Sequence, residues 1–331
     1  MKQAPNNPPG NTLAAGTTDA LVADAISRSG YPLQVTVATM LRHQMWVQEE
    51  WAYLDRDTKE LRSLDIRAGV HLYDLKGTQP RIRPQLDLLI ECKQSELPYV
   101  FFVSPMKSQW PPDFPVFAGL AHRTIEVATD HDRSTWSFGV VQSLGLESDA
   151  FLATEPLLCT TFSKCVRKGK DLELSGTESY QALTLPLVKA MAHLQDSEAP
   201  PKTAYYFDLY LGIGVAVLDA PMIAVDVKPT GNDLTMAPWI RIVKHEYLDD
   251  REWWDRSRWF ALDVVHKDFL RDYIDQHVML FAKRFAERAL RHQNELATGV
   301  AFVPGMAKDS WTNIEQRLQP RKGPARRRHK D

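Results

Sequence analysis

Cysteine is scarce in this chain: 331 residues hold three, Cys92, Cys159 and Cys165, with no CxxC pair and no Cys/His spacing that would hold zinc. A disulfide framework is excluded, and a reduced, cytoplasmic setting is expected. Charge of one sign is lacking as well. Forty Lys and Arg stand against forty-two Asp and Glu, a net charge of −2, so a polyanionic partner would have to be met by a local basic patch. No apolar run is long enough for a membrane span, and the opening MKQAPNNPPGNTLAAGTT has none of the apolar stretch of a signal peptide, so no membrane contact is expected. Glycine-rich phosphate loops are missing. GIG at 212–214 lies in an apolar run without the third glycine or helix start of a dinucleotide fingerprint. The histidines form no HxH or HExxH pair and read as scattered core or surface residues.

What the chain does hold is apolar material, 44% hydrophobic and 10% aromatic, enough for one large core or two small ones. Residues 1–18 read as a disordered leader, and Thr17-Thr18-Asp19 offers N-cap chemistry for a helix ending near Ile26. YPLQVTVATMLRHQ spaces Val35, Ala38, Met40 and Leu41 as a second short helix, with Pro32 tolerated in its first turn. WVQEEWAYLD and LRSLDIRAGV flank the turn DRDTKE and predict a hairpin, and LDLLIECK predicts a third, mostly buried strand. PYVFFVS, YYFDLYLG, IGVAVLDAPMIAVDV and PWIRIVKHEY predict further strands. Tyr180, Leu183, Leu187, Met191 and Leu194 mark one helical stripe with Pro186 as a kink, and Leu270, Ile274, Val278, Phe281 and Phe285 another in a long amphipathic helix. PRKGPARRRHKD closes the chain with six Lys/Arg against one acid, a flexible terminus that either solubilises or binds phosphate through Arg326, Arg327 and Arg328.

The chemistry-bearing residues lie on the second and third strands. Side chains two apart in a strand share a face, so Glu91 and Lys93 project together while Cys92 points to the packed side. If the strand of Asp65 pairs with that of Glu91, the two carboxylates offer hard oxygen ligands to one Mg²⁺ or Mn²⁺. The cation would relieve their repulsion, the Cys92 carbonyl could complete its shell, and the Lys93 ammonium could orient or deprotonate an attacking water. The alternative is an ordinary buried salt bridge of Glu91 with Lys93 or Arg67.

These residues resemble the PD-(D/E)xK, or restriction-endonuclease-like, superfamily: GYP opens the helix before the meander, LDI supplies Asp65, and ECK supplies Glu91 and Lys93. The resemblance implies an α/β fold with a restriction-endonuclease-like core of helix, mixed central β-sheet meander and crossover helix. On that template residues 19–304 form one elaborated domain, with its core at 19–104 and about 177–247, an insertion at about 105–175, a C-terminal helix at about 267–296, and a flexible basic tail at 305–331. It further implies a Mg²⁺- or Mn²⁺-dependent endonuclease acting on DNA, with RNA open as a substrate, in restriction, repair or phage defence. A homodimer or a defence-system partner protein would supply targeting. Gln94 and Ser95 stand where many members keep polar residues near the scissile phosphate. Gln34 stands where members often place a helix glutamate, which leaves open a catalytically weakened protein that binds nucleic acid or another protein.

Three rival features compete. Asp226-Val227-Lys228 after Asp219 mimics the acid-x-lysine spacing, but Pro221 and the short interval argue for a solvent-facing strand end. Asp87 shares the face of Glu91 and is expected to be solvated near the strand's start. Trp253 and Trp254 with Arg251, Arg256 and Arg258, like Arg67, could contact nucleic acid, although tryptophan near arginine often packs at an edge.

Overall fold

The computed structural model describes residues 1–77, 79–104, 113–129, 135–201, 204–247, 257–304 and 314–320. Its strands are β1 Trp46–Leu54, β2 Leu61–His71, β3 Ile82–Gln94, β4 Tyr99–Val103, β5 Val116–Ala118, β6 Thr124–Thr129, β7 Thr135–Gly139, β8 Leu157–Lys168 and β9 Asp171–Ser175. They continue with β10 Phe207–Asp219, β11 Met222–Lys228, β12 Gly231–Met236, β13 Trp239–Tyr247, β14 Ser257–His266, β15 Val300–Val303 and β16 Gln319–Pro320. The principal helices are α1 Asp19–Arg28, α2 Tyr31–Leu41, α3 Leu185–Ser197 and α4 Met279–Arg291.

The protein is a mixed α/β molecule built on a twelve-stranded sheet in the order β1-β2-β3-β10-β14-β13-β8-β4-β11-β12, with β5 on β10 and β9 on β8, beside a small sheet β16-β15-β6-β7. The expected hairpin and third strand are present: β1, β2 and β3 form an antiparallel meander. β10 then runs parallel to β3 along its whole length, from Phe207 opposite Ile82 to Asp219 opposite Gln94. Both strands are covered on two faces, which is why they read as near-continuous apolar runs rather than alternating ones.

Two apolar layers flank the sheet. On one side Leu33, Val37, Ala38 and Leu41 of α2 and Phe281 and Phe285 of α4 share a core with Ile66, Leu88, Ile90 and Cys92. On the other, Leu187, Met191 and Leu194 of α3 share one with Leu64, Leu89 and Trp51. The predicted stripe of α2 needs correcting, since Val35 is exposed and Leu33, Val37, Ala38 and Leu41 form the buried face. Thr18 caps α1 as its hydroxyl promised, accepting from the Leu21 amide at 3.3 Å. Pro186 enters α3 in its first turn, after a π-helical turn at Tyr180–Thr184 that absorbs the irregularity. The run GIG serves packing: a Cβ at Gly212 would lie 3.1 Å from Leu194 Cδ2, and one at Gly214 3.0 Å from Met191 Sδ, so these glycines let α3 approach the sheet closely.

Two expected segments carry more order than their sequence signals. Within 105–175, expected as an insertion, β8 sits inside the main sheet between β13 and β4. Its apolar residues are spread through a bulged strand without a clean period, so no sequence signal marked it. The tail is not wholly flexible either: Ile314–Arg317 is a helical turn with Ile314 and Leu318 buried in the core, and Glu315 bonds both Arg291 and His292. Arg326, Arg327 and Arg328, and likewise Arg251, Trp253, Trp254 and Arg256, lie outside the described residues. Met1–Thr18 form exposed turns without helix or strand. Among the described residues no helix is long and apolar enough to cross a membrane.

Candidate active site

The ladder between β2 and β3 runs from His71 opposite Gln85 to Ile66 opposite Ile90. One step on, Asp65 meets Glu91, and side chains take over from the backbone. Asp65 Oδ2 accepts from the Cys92 amide at 2.7 Å, while the amide of Asp65 in turn favours the charged form of Glu91. The switch has a local cause. Leu64 and Ile66 are two apart and should share a face, yet Leu64 belongs to the layer under α3 and Ile66 to the layer under α2 and α4. The backbone turns over between them and leaves Asp65 aimed at β3. Directly across β1, Glu50 adopts a left-handed φ of 50°, strain expected where a strand is forced to reverse its faces.

Lys93 ion-pairs with Glu91, whose residue is only 6% exposed. Burial pushes the Glu91 carboxyl up to about 7, with Lys93 pulling it down and Asp65 pushing it further up. Asp65 is raised too, first by burial and more weakly by Glu50, against the Cys92 amide and Lys93. For Lys93, burial opposes the charge, but Glu91 and then Asp65 outweigh it, so its pKa rises and the group is an ammonium. The rise favours the first of the two expected roles, orienting an attacking water, over deprotonating it.

A hollow of about 360 Å³ opens beside Asp65 and Lys93, bordered also by Gly30, Tyr31, Gln34, Cys92 and Gln94. The Cys92 carbonyl stands near it, 3.8 Å from where a Cβ of Gly30 would lie. Two carboxylates, one of which raises the other's pKa, with a backbone carbonyl nearby, form an all-oxygen donor set that suits a hard divalent cation retaining several waters. Among the described residues no group of three or more His, Cys, Asp or Glu converges to complete the shell.

The accessory residues divide. Gln34 is buried, and its amide donates to Glu50 Oε1 at 2.8 Å and to the Asp65 carbonyl at 3.1 Å, so it fixes the β1–β2 kink in place. Gln94 borders the hollow with its amide donating to the Ser27 carbonyl at 3.1 Å, which ties α1 to the end of β3. Ser95 is spent on a turn, donating to the Leu97 carbonyl and accepting from its amide.

Arg67, expected as a candidate nucleic-acid contact, is largely withdrawn from solvent. Its guanidinium lies 5.5 and 5.0 Å from the ring centroids of Trp46 and Trp51, pairs with Asp87 at 2.6 Å and reaches Glu198 at 3.1 Å. The expectation that Asp87 is solvated also fails. It is fully buried, and burial raises its pKa to about 6 despite Arg67. A Cβ at Gly69 would come within 2.6 Å of Asp87 Oδ1, so only glycine fits opposite that carboxylate. The rival triplet faces solvent as expected: Lys228 lies 3.5 Å from Asp226 and pairs with Asp233 across an exposed hairpin. Sequence reasoning missed Glu50, although the hairpin register itself places it opposite Asp65.

Compared with protein-family models, with curated proteins and with solved structures, the chain matches none.

Proposed function

We propose that this chain hydrolyses phosphodiester bonds of DNA in a reaction that depends on Mg²⁺ or Mn²⁺, at the site formed by Asp65, Glu91 and Lys93. The observation that carries the reading is the pairing of β2 with β3, which sets Asp65 across from Glu91 where the ladder ends, with Lys93 on the same strand and Asp65 and Lys93 bordering one hollow. Residues Asp65 and Glu91, with the Cys92 carbonyl, would hold the cation. When bound it supplies Lewis-acid polarisation of a phosphate oxygen and lowers the pKa of a coordinated water.

The protein's own groups do the rest. Glu91, poorly solvated and repelled by Asp65, holds a carboxylate whose charge a bound cation would compensate. The Lys93 ammonium faces the charge that builds on the phosphate oxygens. Gln34 and Glu50 keep Asp65 aimed at β3 by holding the kink on its other side. The order of elements supports a restriction-endonuclease-like core: α2, the β1–β2–β3 meander, the crossover through α3, and β10 parallel to β3.

Gln34 favours a second reading, a weakened descendant that binds nucleic acid without cutting it, because its amide is spent on Glu50 and the Asp65 carbonyl. One assay separates the two. Purified protein is incubated with plasmid, single-stranded DNA and RNA in Mg²⁺ or Mn²⁺, beside Lys93→Ala and Asp65→Ala. Cleavage of DNA lost in both variants is the expected result. Activity surviving both removes the site, cleavage of RNA alone reassigns the substrate, and retained binding without cleavage in any metal establishes the binder.

A further inference from the structure

Among the described residues, the helical layer of α2 and α4 does not reach the far end of the sheet. Over β8, β4, β11 and β12, Val100, Cys165 and Val225 form a small apolar cluster with Leu97, Phe102 and Ile223 against it, and no helical residue belongs to it. The registers put these side chains on one face and extend it to both flanks. Val100 pairs with Ile223 and Phe102 with Val225. On one flank Val225 stands opposite Leu234 and Ile223 opposite Met236. On the other, Cys165 stands opposite Leu174 and Arg167 opposite Leu172. Leu172, Leu174, Val227, Leu234 and Met236 are 52–66% exposed, a concentration of large apolar side chains that isolated surface residues do not produce.

We propose that this face docks on the same face of a second copy of the chain, sheet against sheet about a two-fold axis. Charge favours that occupant. Among the described residues of these five strands, Arg167 is the only charged side chain on the face, so neither a polyanion nor a strongly charged protein finds a complement there, while two such nearly uncharged copies meet with little repulsion. Width favours it too. Five strands at a spacing of about 4.8 Å span roughly 20 Å, whereas a helix with its side chains is about 10 Å across and would leave half of the face wet. A second sheet of equal width covers all of it at the ordinary packing distance of about 10 Å. The planar footprint is on the order of 400 Å² per copy, about 800 Å² in total, the size of a weak interface whose occupancy rises with concentration. The pairing is isologous, so Leu234 and Leu174 of each copy contribute to both halves.

The inference is independent of the cleavage reading. Its test is sedimentation velocity on the full chain from roughly 1 to 100 µM, alongside Leu174→Glu/Leu234→Glu and the milder Leu174→Ser/Leu234→Ser. Both pairs of substitutions are at exposed positions, so circular dichroism should be unchanged. The wild type should dimerise with rising concentration, the Glu pair should raise the dissociation constant at least tenfold, and the Ser pair should fall between. Amide exchange in β9 and β12 should slow as concentration rises. A wild type that stays monomeric across the range, or a dimer that the Glu pair leaves intact, overturns the proposal, as does saturable binding of an amphipathic helical peptide by a monomer.

Discussion

Two buried acid–base pairs in this molecule have opposite designs. Arg241 and Asp263 sit on adjacent strands with side chains 2% and 0% exposed, joined by two hydrogen bonds of 2.7 and 3.0 Å. Tyr273 donates to the same carboxylate at 2.8 Å, Arg241 also donates to the Phe151 carbonyl, and Phe114 and Phe151 flank its guanidinium. That pair is closed and its partners are all internal. The Glu91–Lys93 pair has one partner on each side, a second carboxylate across the strand gap, and a hollow beside it. A closed pair secures the packing of β13, β14 and the helix behind them. An open one leaves charge imperfectly compensated, which costs stability and leaves capacity for a ligand.

The largest expected effect comes from breaking the closed pair. Arg241→Ala strands Asp263 in the core and should cost about 3–5 kcal/mol in urea unfolding. By contrast Glu91→Gln, which removes a poorly compensated charge, should leave metal-free stability equal or higher. Next, Lys93→Ala should lower any Mg²⁺-dependent cleavage by about 10²–10³-fold, the scale of one lost charge-stabilising donor, while the melting temperature moves far less than in Arg241→Ala. Cleavage unaffected by Lys93→Ala would remove the functional side of the contrast.

Titration in EDTA sharpens it further. The Glu91 carboxyl is raised from 4.5 to about 7 in the folded protein, so the native state binds more protons than the unfolded chain between those values. Its contribution is therefore fully present below pH 4.5 and is lost as pH rises toward 7, on the order of 3 kcal/mol in all. Glu91→Gln should flatten that slope relative to wild type in pH-dependent urea midpoints. If both slopes coincide, the carboxylate is better compensated than its surroundings indicate. The smallest effect is reserved for the exposed rival: Lys228→Ala should leave both cleavage and the unfolding midpoint within error of wild type.

Much of the meander was legible in the sequence because its signals are local. The turn DRDTKE places Asp55 where its carboxylate accepts from the amides of Asp57 and Thr58, and the flanking runs alternate. Glu91 and Lys93 were legible for the same reason, since their spacing of two is a property of any strand. Glu50 was not, because its approach to Asp65 depends on a face reversal in two strands at once. Arg67 and Asp87 misled in the same way: an arginine and an aspartate in alternating strands look solvated until α3 brings Glu198 over them.

By itself, the sequence determined where the β1–β3 meander extends and the long amphipathic helices coil, that Glu91 and Lys93 share a face, and that an acid-x-lysine triplet closes an apolar run. Those properties follow from periods of two and 3.6, which need no knowledge of neighbours. Only the tertiary structure decided that β10 joins β3, that β8 enters the sheet from a segment without a clear pattern, and that Asp65 aims at the Cys92 amide. Such pairings join residues far apart in the chain, and the electrostatics of Asp65, Glu91 and Lys93 arise only when burial removes the water that would otherwise screen them.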